Sequence, residues 1–376
     1  MKRPRVLINA SNLHVGGGVQ VATSFIAELS RLDIADLIVS VFASEVVARN
    51  INEVGVDISV FSKFHVIDSF GLSSLNPRFS RYFKAFDIVF TVFGPAYFML
   101  QREIYLTGFA QPWIIYPENE IYRHLPPLEK LKTRLKYSIQ KWFFGRSKKL
   151  VVELDHVRSK LVGAKIAEFD DVFVVHNCLS QLYFEEERWM PVEFHRNQKI
   201  FTIGFVGRDY PHKNTAILPY IKNILLEKYQ IQVDFFVTLD AVEWAAKPTV
   251  FRDAINNVGT LTVAQCPTFY KQMDAIIFPS LLECFSATPL EAMAMKKPLF
   301  ASDRGFVRDI CGDFALYFDP VKPESAADAI ARYVSNQFCK DHDRLHAARN
   351  HVVNFSNAKQ RARDYLQIIR QLLAEN

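Results

Sequence analysis

Two glutamates, Glu283 and Glu291, stand eight residues apart in the segment 279–293, and the residue types around them could hold a sugar joined to a phosphate. The segment begins where the apolar run 275–278 ends, passes through a turn and restarts with Pro289, a residue suited to the first turn of a helix. Glu283 therefore falls in the loop and Glu291 in the first helical turn, near the same sheet edge. A carboxylate accepts paired sugar hydroxyls, and the backbone N–H groups of Phe285, Ser286, Ala287 and Thr288 would aim at the same space. Together these suggest a nucleotide-sugar site. The structural alternative is that Glu291 complements the helix dipole and Glu283 is solvated.

A second loop, Gly207-Arg208-Asp209-Tyr210-Pro211-His212-Lys213-Asn214, also follows an apolar run. Arginine offers a planar fork and lysine a point charge, a pair that suits the two phosphates of a diphosphate. The competing reading is a solvated basic turn, but α/β domains hold ligands at the carboxyl ends of strands, where this loop lies. Near the start, Gly16-Gly17-Gly18 separates the strand-like Val6-Leu7-Ile8-Asn9 from Val21, Phe25, Ile26 and Leu29 at helical spacing. Glycines there let backbone approach an anion, and they equally make a tight turn. The spacing is not G-x-G-x-x-G, and no acidic residue stands out at the end of the second strand, which disfavours a dinucleotide dehydrogenase.

Strands must end beneath these loops. Strand-like runs at 37–42, 87–93, 104–109 and 149–152 follow the first unit and imply a parallel sheet covered on both faces. After the polar stretch 185–199, the run 200–207 reads as a second first strand. The boundary is placed near residue 195, giving domains 1–195 and 196–357. Further strands are expected at 233–237, 275–278 and 299–301, with helices at 216–227, 290–295 and 326–334. The stretch from 358 towards 376 has helical periodicity and could pack back on the first domain.

The chain of 376 residues is 49% hydrophobic and 23% charged, which excludes disorder and makes two cores more natural than one. Cys178, Cys266, Cys284, Cys311 and Cys339 are scattered, with no C-x-x-C pair and no histidines at ligand spacing, so neither a disulfide scaffold nor a structural metal is expected. No window approaches the roughly 18 apolar residues of a membrane span. Residues 1–5 lead into a strand rather than a signal core, and a cytoplasmic location is expected. The net charge of +5 lies in the first 180 residues, which carry 22 Lys and Arg against 17 Asp and Glu. A nucleic-acid binder would show broader basicity and a groove-binding motif.

Much of that charge falls within 128–149. Leu128, Leu131, Leu135, Ile139, Trp142 and Phe143 recur at helical spacing among Lys130, Lys132, Arg134, Lys136 and Lys141. Such a helix either lies on an anionic membrane surface or turns its apolar stripe to the core. The membrane reading would make the protein peripheral on the inner face of the cell membrane.

The segment 279–293 resembles the E-x7-E motif of retaining GT-B glycosyltransferases of family 4 (glycosyl transferases group 1), written E-G-F-G-L-P-x-x-E-A-M and followed by a strand and an S-D-x-G turn. Here the chain continues Lys297-Pro298-Leu299-Phe300-Ala301-Ser302-Asp303-Arg304-Gly305. The loop 207–213 is similar to the family's G-R-x-x-x-x-K, the glycine loop to its first loop, and His176-Asn177 to its segment before the interdomain crossing. The resemblance implies an α/β GT-B fold of two doubly wound Rossmann-like domains facing a central cleft, with acceptor on the first and donor on the second.

It also implies roles. Arg208 and Lys213 would neutralise the diphosphate, Glu283 would contact the transferred sugar and Glu291 the ribose. Gly17 and Gly18 would close on the distal phosphate. No cofactor and no divalent metal are implied. The reaction would move a hexose, with retention, from a nucleotide diphosphate sugar to a glycan or lipid-linked glycan, as in O-antigen or capsule synthesis. Cys284 and Ser286 depart from the family's glycines and put the shape of the sugar pocket in question. Many members carry a histidine at a strand end where this chain has 106–113 without one; Gln111 could take that part, or the segment is a turn with a packed Trp113. His14 and His124 are alternatives. A nucleotide-sugar epimerase and a non-catalytic nucleotide-sugar binding module remain open.

Overall fold

Strand β1 (Arg5–Ala10) forms from the first apolar run, and every residue after Arg5 in it is buried. A computed structural model describes residues 3–69, 71, 83–95, 97, 104–335 and 341–375. Met1, Lys2 and Cys339 lie outside the described residues. The first sheet continues with β2 (Ile38–Ala43), β3 (Lys63–Val66), β4 (Ile88–Thr91), β5 (Ile104–Gly108), β6 (Lys149–Val152) and β7 (Val172–Val174). Its order is β3-β2-β1-β4-β5-β6-β7, with every pairing parallel. Strands buried on both faces need no polar alternation, which is why they read as unbroken apolar runs. The order reverses between β1 and β4, so the loop after β1 stands at a topological switch point.

That loop leads into α1 (Gly17–Leu29), which buries Val21, Phe25, Ile26 and Leu29 as its spacing predicts. The C-terminal helix, Ala358–Ala374, packs on α1 and places Ala362, Tyr365, Leu366, Ile369 and Leu372 in the same core. Tyr365 meets Phe25 and Phe90 with ring centroids 5.0 Å apart in each case. The same helix buries Arg361, whose guanidinium donates to Asn177 and to Ser24. Nearby, burial pushes the Glu153 carboxyl up to about 7 against the opposing pull of the Arg361 charge and a hydrogen bond with Asn177.

The second sheet has β8 (Phe201–Phe205), β9 (Val233–Val237), β10 (Asn256–Asn257), β11 (Ala275–Phe278), β12 (Leu299–Ser302) and β13 (Leu316–Phe318). Its order is β10-β9-β8-β11-β12-β13, again parallel throughout, with the reversal between β8 and β11. Its core joins Ile203, Phe205, Phe235, Ile277 and Phe300 to Ile221, Leu225 and Ile330 from helices.

Two compact units result: residues 1–117, 125–178 and 356–376 form one, and 118–124 with 179–355 form the other. The crossover at 178/179 corrects the boundary near 195. The stretch 185–199 is polar in composition but folds onto the second unit. Trp189 Nε1 donates to the Leu182 carbonyl at 2.8 Å and Met190 N to that of Ala264 at 2.9 Å. Phe194 packs on Phe236 and Phe269 at 5.1 and 5.8 Å. The short segment 118–124 joins the same unit, where Arg304 pairs with Glu120 at 2.5 Å.

Helix α2 (Pro127–Phe144) corrects the core reading of 128–149. Leu128, Leu131, Leu135, Ile139 and Trp142 are exposed, and only Phe143 and Phe144 are buried. Among the described residues, no helix is long and apolar enough to cross a membrane.

Candidate functional site

The switch point of the second sheet brings together the two loops singled out by residue type. After β8 the chain turns at Gly207, whose N–H donates to Thr238 Oγ1 at 3.2 Å. A tight turn at Pro211–Lys213 follows and ends on Asn214 in the left-handed region, φ 57°. Asn214 Nδ2 donates to the carbonyls of Pro279 and Pro320, at 3.3 and 2.8 Å, and so ties the loops after β8, β11 and β13. Leu281 N donates to the His212 carbonyl at 2.7 Å. These clamps set Lys213 Nζ 2.8 Å from Glu283 Oε1, both side chains mostly buried. Lys213 and Glu283, 70 residues apart in sequence, are thus one ion pair.

Glu291 lies in the first turn of α3 (Thr288–Ala294), whose N-cap residue, Ala287, makes no side-chain cap. Phe285 and Ala287 are partly buried, Ser286 and Thr288 buried, on the approach to that turn. Glu291 is partly buried. Tyr270 donates its hydroxyl to Glu291 Oε2 at 2.6 Å, and the Tyr183 hydroxyl acts on the same carboxylate. Burial raises the Glu291 carboxyl above its ordinary range, and these two tyrosines and the Lys213 charge oppose the rise. Burial also pushes both phenols well up. The result is a part-buried carboxylate held by the Tyr270 hydroxyl, with the Lys213 charge acting on it, an arrangement that fixes its direction.

Arg208 is arranged differently from the expectation. Its Nε donates to Glu243 Oε1 at 2.7 Å and it pairs with Asp240 at 2.8 Å, with half its side chain exposed. Glu243 raises the guanidinium further above its usual value. Glu243 also accepts from Asp209 N and closes a capping box with Asp240 on the helix Ala241–Ala245. An anion on this loop therefore competes with two carboxylates for Arg208. His212, on the same loop, is pushed down by burial.

The remaining expected residues, His124 excepted, lie in the first unit. Gly16 adopts φ 73°, a backbone that side-chain-bearing residues rarely take, and caps α1 with no side-chain hydrogen bond. A Cβ on Gly17 would meet nothing within 4 Å, whereas one on Gly18 would come 3.3 Å from Leu13. His14 faces its own unit: Nε2 lies 3.0 Å from the Ser69 carbonyl and Nδ1 3.4 Å from Asp68. Gln111 precedes the four-residue helix Pro112–Ile115 and makes no side-chain cap, while Trp113 stacks on Tyr137 at 5.6 Å. His124 falls in the helix Glu120–His124. Among the described residues, no group of three or more His, Cys, Asp or Glu side chains is placed to hold a metal ion.

Three residues of the site went unnoticed in the sequence. The pattern Asp240-x-x-Glu243 is the signature of a capping box and could have flagged Glu243. Tyr183 and Tyr270 carry no local signal, because each reaches Glu291 only through the tertiary fold.

Residues 187–351 match the family model described as Glycosyl transferases group 1. The O-antigen chain mannosyltransferase RfbU of Salmonella typhimurium is 25% identical over 130 residues, which span 33% of this chain and 36% of that protein. The chain thus matches about a third of that relative's length. Three solved structures are similar over essentially the whole chain. A glycosyltransferase from Rickettsia africae superimposes with a TM-score of 0.69 at 18% identity, covering 100% of both chains. Sucrose-phosphate synthase from Thermosynechococcus elongatus gives 0.71 at 15%, also covering 100% of both. The Anabaena HepE protein in complex with UDP and glucose gives 0.61 at 15%, covering 99% of this chain and 100% of that one. These likenesses show the fold, the α/β GT-B architecture of two Rossmann-like sheets.

Proposed function

We propose that the chain is a retaining glycosyltransferase that moves a hexose from a nucleotide diphosphate sugar to a glycan or lipid-linked glycan, in the synthesis of a cell-surface polysaccharide. The observation that carries this reading is the meeting of Lys213, Glu283 and the tyrosine-held Glu291 at the β8/β11 switch point. Carboxylates suited to sugar and ribose hydroxyls stand beside a cation suited to a diphosphate. The family match over 187–351, the mannosyltransferase relative and the UDP-bound neighbour support it.

In this reading Glu291 accepts the ribose hydroxyls and Glu283 a hydroxyl of the transferred sugar. Lys213 turns from Glu283 to the β-phosphate as the bond to the anomeric carbon lengthens, and negative charge grows on the departing oxygen. Arg208 leaves Asp240 and Glu243 to share that charge. The acceptor hydroxyl attacks from the face the phosphate leaves; the new C–O bond forms as the old one breaks, and the proton passes to the leaving phosphate. With the positive charge supplied by side chains, no divalent metal is required.

The test is release of nucleoside diphosphate from UDP-, GDP- and ADP-sugars, with a glycan acceptor and without added metal. Turnover of one donor, lost in Glu291→Ala with the fold retained, is the expected result. An altered free sugar nucleotide with no glycosidic product would favour an epimerase instead. Binding without any turnover would favour a non-catalytic module.

A further inference from the structure

A helix on the surface of an α/β domain ordinarily turns its apolar stripe inward. Helix α2 does the reverse. Leu128, Leu131, Leu135 and Trp142 are 62%, 65%, 61% and 49% exposed, and Ile139 completes the row. At about 100° per residue these five side chains fall within an arc of about 80°. The opposite side of the helix carries its contacts with the rest of the unit. Gln140 Nε2 donates to the Tyr97 hydroxyl at 3.2 Å, Tyr137 stacks on Trp113, and Phe144 packs on Phe109 at 4.7 Å.

Basic residues edge the exposed stripe on both sides: Lys132 and Lys136 on one, Arg134 and Lys141 on the other. Across 128–150 there are eight Lys and Arg against the single acid Glu129. At the C-terminal end Arg146 lies over the Trp142 ring, 4.8 Å from its centroid. An apolar row with cations on both flanks and an aromatic at one end matches a plane of acyl carbon beneath anionic headgroups. A protein partner would need an apolar groove with acidic rims on both sides, which a bilayer surface supplies continuously.

We infer that α2 is the surface by which this protein docks on an anionic membrane. The helix lies between β5 and β6 in the first unit, the unit that also carries the glycine loop, so docking would hold that unit on the bilayer. The docking does not depend on the transfer reaction; what rests on the proposed function is its consequence, that the acceptor is lipid-linked.

The experiment is co-sedimentation of the full chain with vesicles of phosphatidylcholine alone and of phosphatidylcholine with about one third phosphatidylglycerol. The expected result is a partition coefficient at least about tenfold higher on the anionic vesicles, falling as salt is raised. Leu131→Ser combined with Leu135→Ser should reduce it about tenfold or more, and Lys132→Gln and Lys136→Gln about fivefold each on anionic vesicles only. All four positions are exposed, so the melting temperature should hold and serve as the fold control. No binding to anionic vesicles, equal binding to both kinds, or full binding by the Leu131→Ser, Leu135→Ser variant would each overturn the inference. So would sedimentation equilibrium showing a dimer without lipid that the same variant abolishes, since the face would then belong to a second copy. Donor turnover on a soluble acceptor reads the proposed function separately.

Discussion

Replacing Tyr270 by phenylalanine removes one hydroxyl and keeps the ring, and its effect on Glu291 follows from the contacts. The hydroxyl donates to Glu291 Oε2 at 2.6 Å and favours the ionised carboxylate. A hydrogen bond to a charged group contributes about 1.5–3 kcal/mol. Its loss therefore raises the carboxyl further, in the direction that burial already imposes. A raised carboxyl is ionised only at higher pH, so the acid limb of donor binding should move to higher pH. Calorimetric titration with UDP, GDP and ADP from about pH 5.5 to about pH 9 would show it. In the variant, affinity should fall about tenfold or more at the acid end of that range and return to within about twofold of the parent at its alkaline end. An acid limb left in place would refute the reasoning. So would an affinity lost equally at every pH, because that is the signature of a damaged pocket rather than of a carboxylate that has kept its proton.

Three other outcomes are expected. Glu243→Gln keeps an acceptor for the capping box but removes a charge that competes for Arg208, so nucleoside diphosphate binding should tighten by about two- to fivefold, the range of an exposed ion pair; unchanged calorimetric affinity would separate Arg208 from the phosphates. Glu153→Gln should flatten a pH dependence of stability. With the carboxyl raised from 4.5 to about 7, the folded chain keeps a proton that the unfolded chain has lost, and stability present below pH 4.5 falls by up to about 3 kcal/mol as pH rises through 7. Urea unfolding near pH 5 and near pH 8 on both proteins measures this. Donor turnover should survive an excess of chelator, and its loss would transfer the charge-neutralising role from Lys213 and Arg208 to a metal.

The parts of the fold legible in sequence are those where one signal suffices. Unbroken apolar runs marked the central strands because both faces of a parallel sheet are covered, and Glu283, Glu291 and Lys213 were marked by loops at strand ends. Short edge strands escaped: β3, Lys-Phe-His-Val, is largely solvated, and β10 is only two residues long. The stretch 185–199 misled because its charges face water while its aromatics and backbone hold it down. Periodicity identified α2 as amphipathic but could not say which side the sheet would take. Arg208 was legible as a cation on the right loop, but its pairing with Glu243, 35 residues away, belongs to the tertiary fold.

The C-terminal helix has a consequence for how the protein is made. Tyr365, Leu366, Ile369 and Leu372 complete the core around Phe25 and Phe90, although more than 170 residues of the second unit are synthesised between the two sets. Domains usually fold in the order in which they leave the ribosome. Here the first sheet must wait with the face of α1 uncovered until residues 358–374 have been made, while the second unit can close first. A chain cut at any point in the second unit would therefore also leave the N-terminal sheet exposed, and such fragments are the ones a chaperone or protease should meet.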